Sequence, residues 1–362
     1  MLEKSYILAM QMIPDIGGIT IRALESRFGS AEAVWKAKRE TLEAAGIIKG
    51  KKLEQFCHFR KTIEPLKEAE ALAKKGISYI CWKEGAFPVQ LLEIYNPPAG
   101  LFYTGTLPVW DRGIAVVGAR KASVYGKNAC RYIVQELTKS NAVIISGGAL
   151  GIDAAAHQAA VEAGGISAAV MGCGLDITYP RGHASLFAKI RENGALISEY
   201  PLGMPPKAGN FPARNRIISG LARGVLVVEA AMKSGSLITA ELALEEGRDV
   251  FAVPGGIFSE QSQGTNHLIQ QGACLVTSAN DIVKEYGWNM ENKKKQVQSA
   301  YTLEEYAVLE CLAPDQAVAA EKIVDATKLP LDRVSMILLK LELEKQIERI
   351  GAQQYVRSMR SV

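Results

Sequence analysis

Val143-Ile144-Ile145-Ser146-Gly147-Gly148-Ala149-Leu150-Gly151-Ile152-Asp153 opens as a short apolar run, breaks at paired glycines, and resumes at helical spacing over 153–163. Apolar residues on consecutive positions suit a strand covered on both faces, the situation inside a parallel sheet. The same pattern recurs on either side of this stretch. Candidate strands fall at 114–118, 143–147, 166–171, 194–198, 225–230, 250–254 and 274–277, and helical stretches at 127–139, 153–163, 184–192, 213–222 and 237–246. Regular alternation of this kind predicts an α/β fold, a Rossmann-like doubly wound and mostly parallel sheet, spanning residues 106–287.

The flanks read differently. Residues 1–64 form short helices punctuated by Ile13-Pro14-Asp15-Ile16-Gly17-Gly18 and Ala45-Gly46-Ile47-Ile48-Lys49-Gly50. Two such turns resemble helix-hairpin-helix (or SAM-like) units, whose turn amides can hold a DNA phosphate; a purely structural helical module fits equally well. The first turn lacks the usual Gly-x-Gly. Residues 65–105 are expected as an extended connector packed on the core, because Pro97-Pro98 excludes helix there. A polar, basic linker is expected at 288–301. Residues 302–362 read as three helices followed by two short strands around Gly351, the order of a winged helix.

Composition limits the function. The chain has 362 residues, 48% hydrophobic and 22% charged, the balance of a folded multidomain protein. No apolar run reaches the roughly 18 residues of a membrane helix, and Met1-Leu2-Glu3-Lys4 followed by Pro14 does not read as a signal peptide, so a cytoplasmic location is expected. Six cysteines without a C-x-x-C pair suit buried thiols in a reducing compartment. Four well-separated histidines offer no metal-ligand spacing, and no cofactor is implied. A net charge of +4, three of it in residues 1–64, provides no global positive field, so any nucleic-acid site must arise from local arrangement.

In an open parallel sheet, ligands sit beyond the carboxyl ends of the strands. The residues just past each strand are therefore informative: Gly118-Ala119-Arg120 after the first, Gly147-Gly148 after the second, Gly172-Cys173-Gly174 after the third. Small residues let backbone amides approach an anion, and helix N-termini add their dipoles. There is no G-x-G-x-x-G with an acid some 20 residues on and no G-x-x-x-x-G-K-[ST], which argues against dinucleotide binding and excludes a P-loop NTPase. Lys207-Ala208-Gly209-Asn210-Phe211-Pro212-Ala213-Arg214-Asn215-Arg216 sets one aromatic among three cations and two amides. Guanidinium forks suit phosphate, and an aromatic face stacks any base, the combination that sequence-tolerant single-strand binding requires. Ser234-Gly235-Ser236 opens a further helix, with Ser236 placed to cap it while neighbouring amides face the rim.

Together these segments resemble the DprA/Smf (DNA-processing protein A) family. The matching stretches are Val116-Val117-Gly118-Ala119-Arg120, residues 146–157, Tyr179-Pro180, Ser198-Glu199-Tyr200-Pro201, residues 211–219, residues 234–248, Val253-Pro254-Gly255 and Gln263-Gly264-Thr265-Asn266, in family order. The resemblance implies a non-catalytic protein that binds and protects single-stranded DNA, loads the RecA recombinase during natural transformation and recombination, and dimerises through its Rossmann-like domain. Carried over by position, Arg120, Lys207 and Arg214 would hold phosphates, Phe211 would contact bases, and Gly118, Gly147 and Gly148 would admit the backbone. Ala119 stands where many relatives have a hydroxyl residue, so one phosphate bond would be missing. Asn215, Ser234, Gly235 and Ser236 complete the expected DNA-binding set.

Two other readings fit the residues less well. A LOG-type nucleotide phosphoribohydrolase would need Pro-Gly-Gly-x-Gly-Thr-x-x-Glu, but Pro254-Gly255-Gly256 leads to a Glu260 out of register. A duplex-reading winged helix would concentrate positive charge on its third helix, whereas this one carries Glu342 and Glu344 and the module is charge-balanced.

Overall fold

The computed structural model describes residues 2–289, 301–351 and 353–358; most of the expected 288–301 linker lies outside them. Five helices form the N-terminal module: α1 (Leu2–Gln11), α2 (Gly18–Phe28), α3 (Ala31–Lys36), α4 (Arg39–Ala45) and α5 (Gly50–Phe59). Then come α6 (Pro65–Lys74), β1 (Ser78–Cys81) and β2 (Gly100–Gly105). The central domain runs β3 (Gly113–Val117), α7 (Val124–Thr138), β4 (Val143–Ser146), α8 (Ile152–Glu162), β5 (Ser167–Met171), α9 (Ala184–Glu192), β6 (Gly194–Ser198), α10 (Asn210–Leu221), β7 (Gly224–Val227), α11 (Gly235–Glu245), β8 (Asp249–Ala252), α12 (Gln263–Gln270), β9 (Cys274–Leu275) and α13 (Ala279–Glu285). The C-terminal module contains α14 (Leu303–Glu310), β10 (Val318–Ala319), α15 (Ala320–Thr327), α16 (Leu331–Leu343), β11 (Ile347–Arg349) and β12 (Gln354–Arg357).

The seven expected strands form one parallel set, and all but the exposed edge strand β9 are covered on both faces. Along β3, Ala115 and Val117 join one core while Ile114 and Val116 join the other. Helices α10, α11 and α12 lie over the first face, and α7, α8 and α13 over the second. The sheet order is β1-β2-β6-β5-β4-β3-β7-β8-β9. The chain travels outward from β3 to β6, then returns to place β7 on the other side of β3. The loops after β3 and β7 diverge at this reversal, which is where an open α/β sheet makes its crevice.

The connector differs from the extended path expected of it. Pro65 opens α6, since a proline at the first helical position forfeits only an amide that has no intrahelical partner. β1 and β2 pair antiparallel with each other, and β2 continues antiparallel onto β6, extending the sheet to nine strands. The N-terminal helices pack on this extension: Tyr79, Cys81 and Phe102 belong to the same core as Ile7, Leu24 and Phe56. Gln11 fixes the join by donating to the carbonyls of Gly100 (3.0 Å) and Glu199 (2.7 Å). Pro97-Pro98 is free of helix, as expected, and receives α2: a Cβ on Gly18 would lie 2.2 Å from the Pro97 carbonyl oxygen. The first small-residue turn therefore meets the protein's own connector.

The C-terminal module is a three-helix unit with a three-stranded sheet, order β10-β12-β11, and its own core around Val308, Ile323, Val334 and Leu338. It touches the central domain at α7, where Asn128 Nδ2 donates to Pro314 O (2.5 Å) and Arg131 pairs with Glu348.

Candidate nucleic-acid interface

A cavity of about 690 Å³ opens where the strand order reverses. Its wall combines Gly118 to Lys121 after β3, Ala149 and Asp153 after β4, Phe211 to Asn215 on α10, and Lys233 to Ser236 after β7. A smaller chamber of about 50 Å³ adjoins it, bounded by Gly147, Gly148, Gly172, Tyr179 and Phe211. Of the twelve expected residues, eleven line one or other space; Lys207 does not, although its neighbours Pro206 and Ala208 do and its own side chain is exposed.

Arg120 and Lys121 are exposed on the loop after β3, and Lys233 on the loop after β7. Among the described residues, none of Arg120, Lys121, Lys207 and Lys233 forms an ion pair. Unpaired cations at a concave rim are the form of positive charge available to an incoming polyanion. The two loops are tied together by Glu229, whose carbonyl accepts from Ala119 N (2.7 Å) and whose carboxylate accepts from Ser123 N (2.9 Å) and Ser123 Oγ (2.5 Å).

Phe211 is half-buried and anchors an aromatic platform. Its ring lies 5.6 Å from that of Tyr179, tilted by 33°, and the Arg120 guanidinium stands 5.5 Å from its centroid. Gly172 makes room for it: a Cβ there would sit 2.9 Å from Phe211 Cδ1. Tyr200 Oη and Asn210 Nδ2 hold the loop that delivers Phe211, donating to the carbonyls of Asn210 (3.2 Å) and Gly172 (3.0 Å) respectively.

Several side chains do other work than expected. Arg214 borders the cavity but is only 4% exposed, and it donates from Nη1 to the carbonyls of Gly147 (2.7 Å) and Val170. It lies on the inner face of α10 with Ile217 and Ile218, which explains its burial. Burial pulls its guanidinium below the ordinary value, against the opposing influence of Asp153. Arg216 is bound by both carboxylate oxygens of Glu199 (2.6 and 2.7 Å). Of three cations in that segment, only Lys207 stands free.

The amides are likewise partly committed. Gly147 N and Ala149 N donate to Asp153 Oδ2 at 3.1 and 3.3 Å, and Ala119 N is taken by Glu229. Burial pushes the Asp153 carboxyl up, while Arg214 and these amides pull it down. Gly118 is a glycine for packing reasons, since a Cβ would press on Ile152 Cγ1 at 2.7 Å. Gly148 has φ +67°, and its carbonyl accepts from His183 Nδ1 (3.0 Å). Ser234 and Ser236 share a hydroxyl contact of 2.7 Å at the start of α11, where Ser234 is the capping residue in place of Ser236. Asn215 accepts from Arg214 Nε (3.3 Å).

Tyr179, Lys121 and Lys233 are cavity residues to which the sequence alone assigned no role. Tyr179-Pro180 and Lys233 lie in or beside stretches that carry the family resemblance, so the signal was present. Glu260 is exposed on a 3-10 turn and does not line the cavity, although its neighbour Gln261 does. Among the described residues there is no group of three or more His, Cys, Asp or Glu able to hold a metal, and no helix long and apolar enough to cross a membrane.

Residues 78–287 match the profile of the family described as DNA recombination-mediator protein A, and residues 292–353 match the DprA winged helix domain. The chain is 37% identical over 354 residues to protein Smf of Escherichia coli, covering 91% of both chains. Its fold is similar to the X-ray structure of DNA processing protein A from Streptococcus pneumoniae, with TM-score 0.68 and 36% identity, covering 78% of this chain and 97% of that one. It is also similar to DNA processing protein A from Helicobacter pylori, solved to describe that protein's single-stranded DNA binding mode, with TM-score 0.54 and 29% identity over 59% of this chain and 97% of that one.

Proposed function

The chain belongs to the DprA/Smf family of DNA recombination-mediator proteins, and on that premise we propose that it binds single-stranded DNA, without regard to base sequence, in the cavity between the loops after β3 and β7. The strand is protected there and passed to the RecA recombinase in natural transformation and recombination, in the cytoplasm. The role is binding, not turnover. One observation carries this reading: unpaired Arg120, Lys121 and Lys233 share a single opening with the Phe211–Tyr179 platform. Cations hold phosphates of any sequence, and an aromatic face accepts any base. Arg120 and Lys207 are the direct phosphate contacts of the expected set, Phe211 the base contact, and Tyr179 joins it.

The protein acts as a homodimer through the Rossmann-like domain. Support comes from β9, which ends the sheet with an open edge and an exposed Leu275. Static light scattering checks this directly, with twice the 39.1 kDa chain mass expected.

The test of the DNA site is a mobility shift with single- and double-stranded oligonucleotides, repeated over a range of salt. Preference for the single strand is expected. Arg120→Ala and Lys207→Ala should each weaken binding and flatten the salt dependence by roughly 0.7 per lost contact. Unchanged affinity in both variants would place the strand elsewhere.

A further inference from the structure

We propose that Asp153 and Arg214 form a buried clamp that sets the shape of the 147–149 loop, and that Arg214 acts on a bound strand through this loop instead of touching a phosphate. The inference rests on the cavity being the DNA site. Its geometry is independent of that reading.

The clamp closes on Gly147 from both sides. Asp153 Oδ2 accepts from Gly147 N (3.1 Å), and Arg214 Nη1 donates to Gly147 O (2.7 Å). Asp153 Oδ2 also accepts from Ala149 N (3.3 Å), and Arg214 also reaches Val170 O on the neighbouring strand β5. Both side chains are buried, at 8% and 4% exposure. A Cβ on Gly147 would stand 2.6 Å from Arg214 Nη2 and 2.7 Å from Asp153 Oδ2, so only glycine passes between the two groups. Gly148 then turns with φ +67°.

The two halves come from different elements: Asp153 from the first turn of α8, Arg214 from α10 one turn after Phe211. The Arg214 guanidinium lies 6.0 Å from the Phe211 centroid, so the clamp couples the loop to the aromatic platform. With Nη1 committed to two carbonyls and Nε to Asn215 Oδ1 (3.3 Å), and with the side chain only 4% exposed, the guanidinium cannot present a two-pronged fork to a phosphate without loosening the loop. Asp153 answers its charge locally. The pair thus orients peptide dipoles at the rim while adding almost no net charge.

Asp153→Ala gives the sharpest test, because it removes both the charge and the oxygen that holds the two amides, and the alternatives predict opposite signs. If Asp153 is merely an acid beneath a polyanion site, removing its charge tightens DNA binding. If it is half of the clamp, the variant binds single-stranded oligothymidine more weakly, by roughly tenfold, as when a buried hydrogen-bond partner is lost. Arg214→Met should weaken binding to a similar degree with the salt slope unchanged, and Arg214→Lys should fail to rescue it, since lysine keeps the charge but not the planar fork. Tighter binding by Asp153→Ala, a slope flattened by about 0.7 in Arg214→Met, or rescue by lysine would each overturn the clamp.

Amide exchange in the wild-type protein decides the matter should the variants not fold. Gly147 and Ala149 amides are expected to be protected without DNA and unaltered when oligothymidine is added; rapid exchange in the free protein would refute the clamp. A wild-type protein that binds no DNA would remove the functional reading and leave the exchange result standing.

Discussion

At the proposed site, Phe211 and Arg120 would contribute to strand binding by physically different routes, and salt separates them. Arg120 is an exposed cation, so its contribution comes from releasing counterions and fades as salt rises. Phe211 is a half-buried ring backed by Tyr179, and stacking does not depend on ionic strength. Phe211→Ala should therefore cost about 1–3 kcal/mol of binding free energy with the salt slope preserved, measured by fluorescence anisotropy at three salt concentrations. A second residue-scale property is written into His157. Ser167 Oγ donates to Ile144 O (3.3 Å), so it accepts from His157 Nδ1 (2.7 Å), which leaves Nε2 a buried lone pair with no partner among the described residues. Burial, reinforced by His183 and Arg214, pushes the imidazole down to about 3. The folded state thus holds a neutral ring that the unfolded chain protonates near pH 6.5. Its contribution to stability is complete above that pH and is lost as pH falls from about 6.5 toward 3, at about 1.4 kcal/mol per pH unit. Urea titrations should show His157→Gln losing less stability than wild type between pH 7 and pH 5.

At the scale of elements, Gly18 is where the N-terminal module meets the sheet extension. It begins α2 against Pro97, Pro98 and Ala99, with Arg22 Nη2 donating to Pro98 O (3.3 Å) and its guanidinium 4.9 Å over the Trp82 ring. A methyl group at Gly18 must push the two segments apart, and overpacking of this kind costs roughly 1–3 kcal/mol. Gly18→Ala should lower the unfolding free energy by that amount, read from urea titrations. Gly17→Ala is the control: no atom lies within 4 Å of its added Cβ, so the loss there should stay under about 1 kcal/mol, the penalty of a poorer N-cap. Equal losses would mean that the junction is not tightly packed. The contrast also shows what sequence can carry. The parallel strands were legible because burial on both faces writes itself as consecutive apolar residues, as in Ile114-Ala115-Val116-Val117. β1 and β2 were not, because their place is set by pairing with β6, nearly a hundred residues downstream of β2. At the site, Phe211 could be read from local chemistry, and Arg120 from the resemblance of its loop to the family. The burial of Arg214 could not, since its carbonyl partners lie 67 and 44 residues away in sequence.

The whole molecule places its C-terminal module against α7 without furnishing the proposed DNA site with charge. The module holds its own core and meets α7 through Asn128 and Arg131. On α16, the helix a winged-helix DNA reader would insert into a groove, Arg333 is paired with Glu304 (2.7 Å) and Lys340 with Glu305 (2.5 Å). The face left exposed carries Met336, Leu339 and Leu343. Phosphate binding draws on unpaired cations, and both cations of α16 are spent within the module. Long-range attraction is unaffected as well, because residues 290–362 contain eleven basic and eleven acidic side chains, so their removal leaves net charge unchanged. A chain ending at residue 289 should therefore bind single-stranded oligonucleotides within about threefold of the full protein, with the same salt slope. Mobility shifts of both proteins at matched salt provide the measurement. A collapse of affinity with a flattened slope would show that the module holds phosphates after all, while a collapse with the slope intact would point to α7 and its rim loop needing the docked module to keep their position.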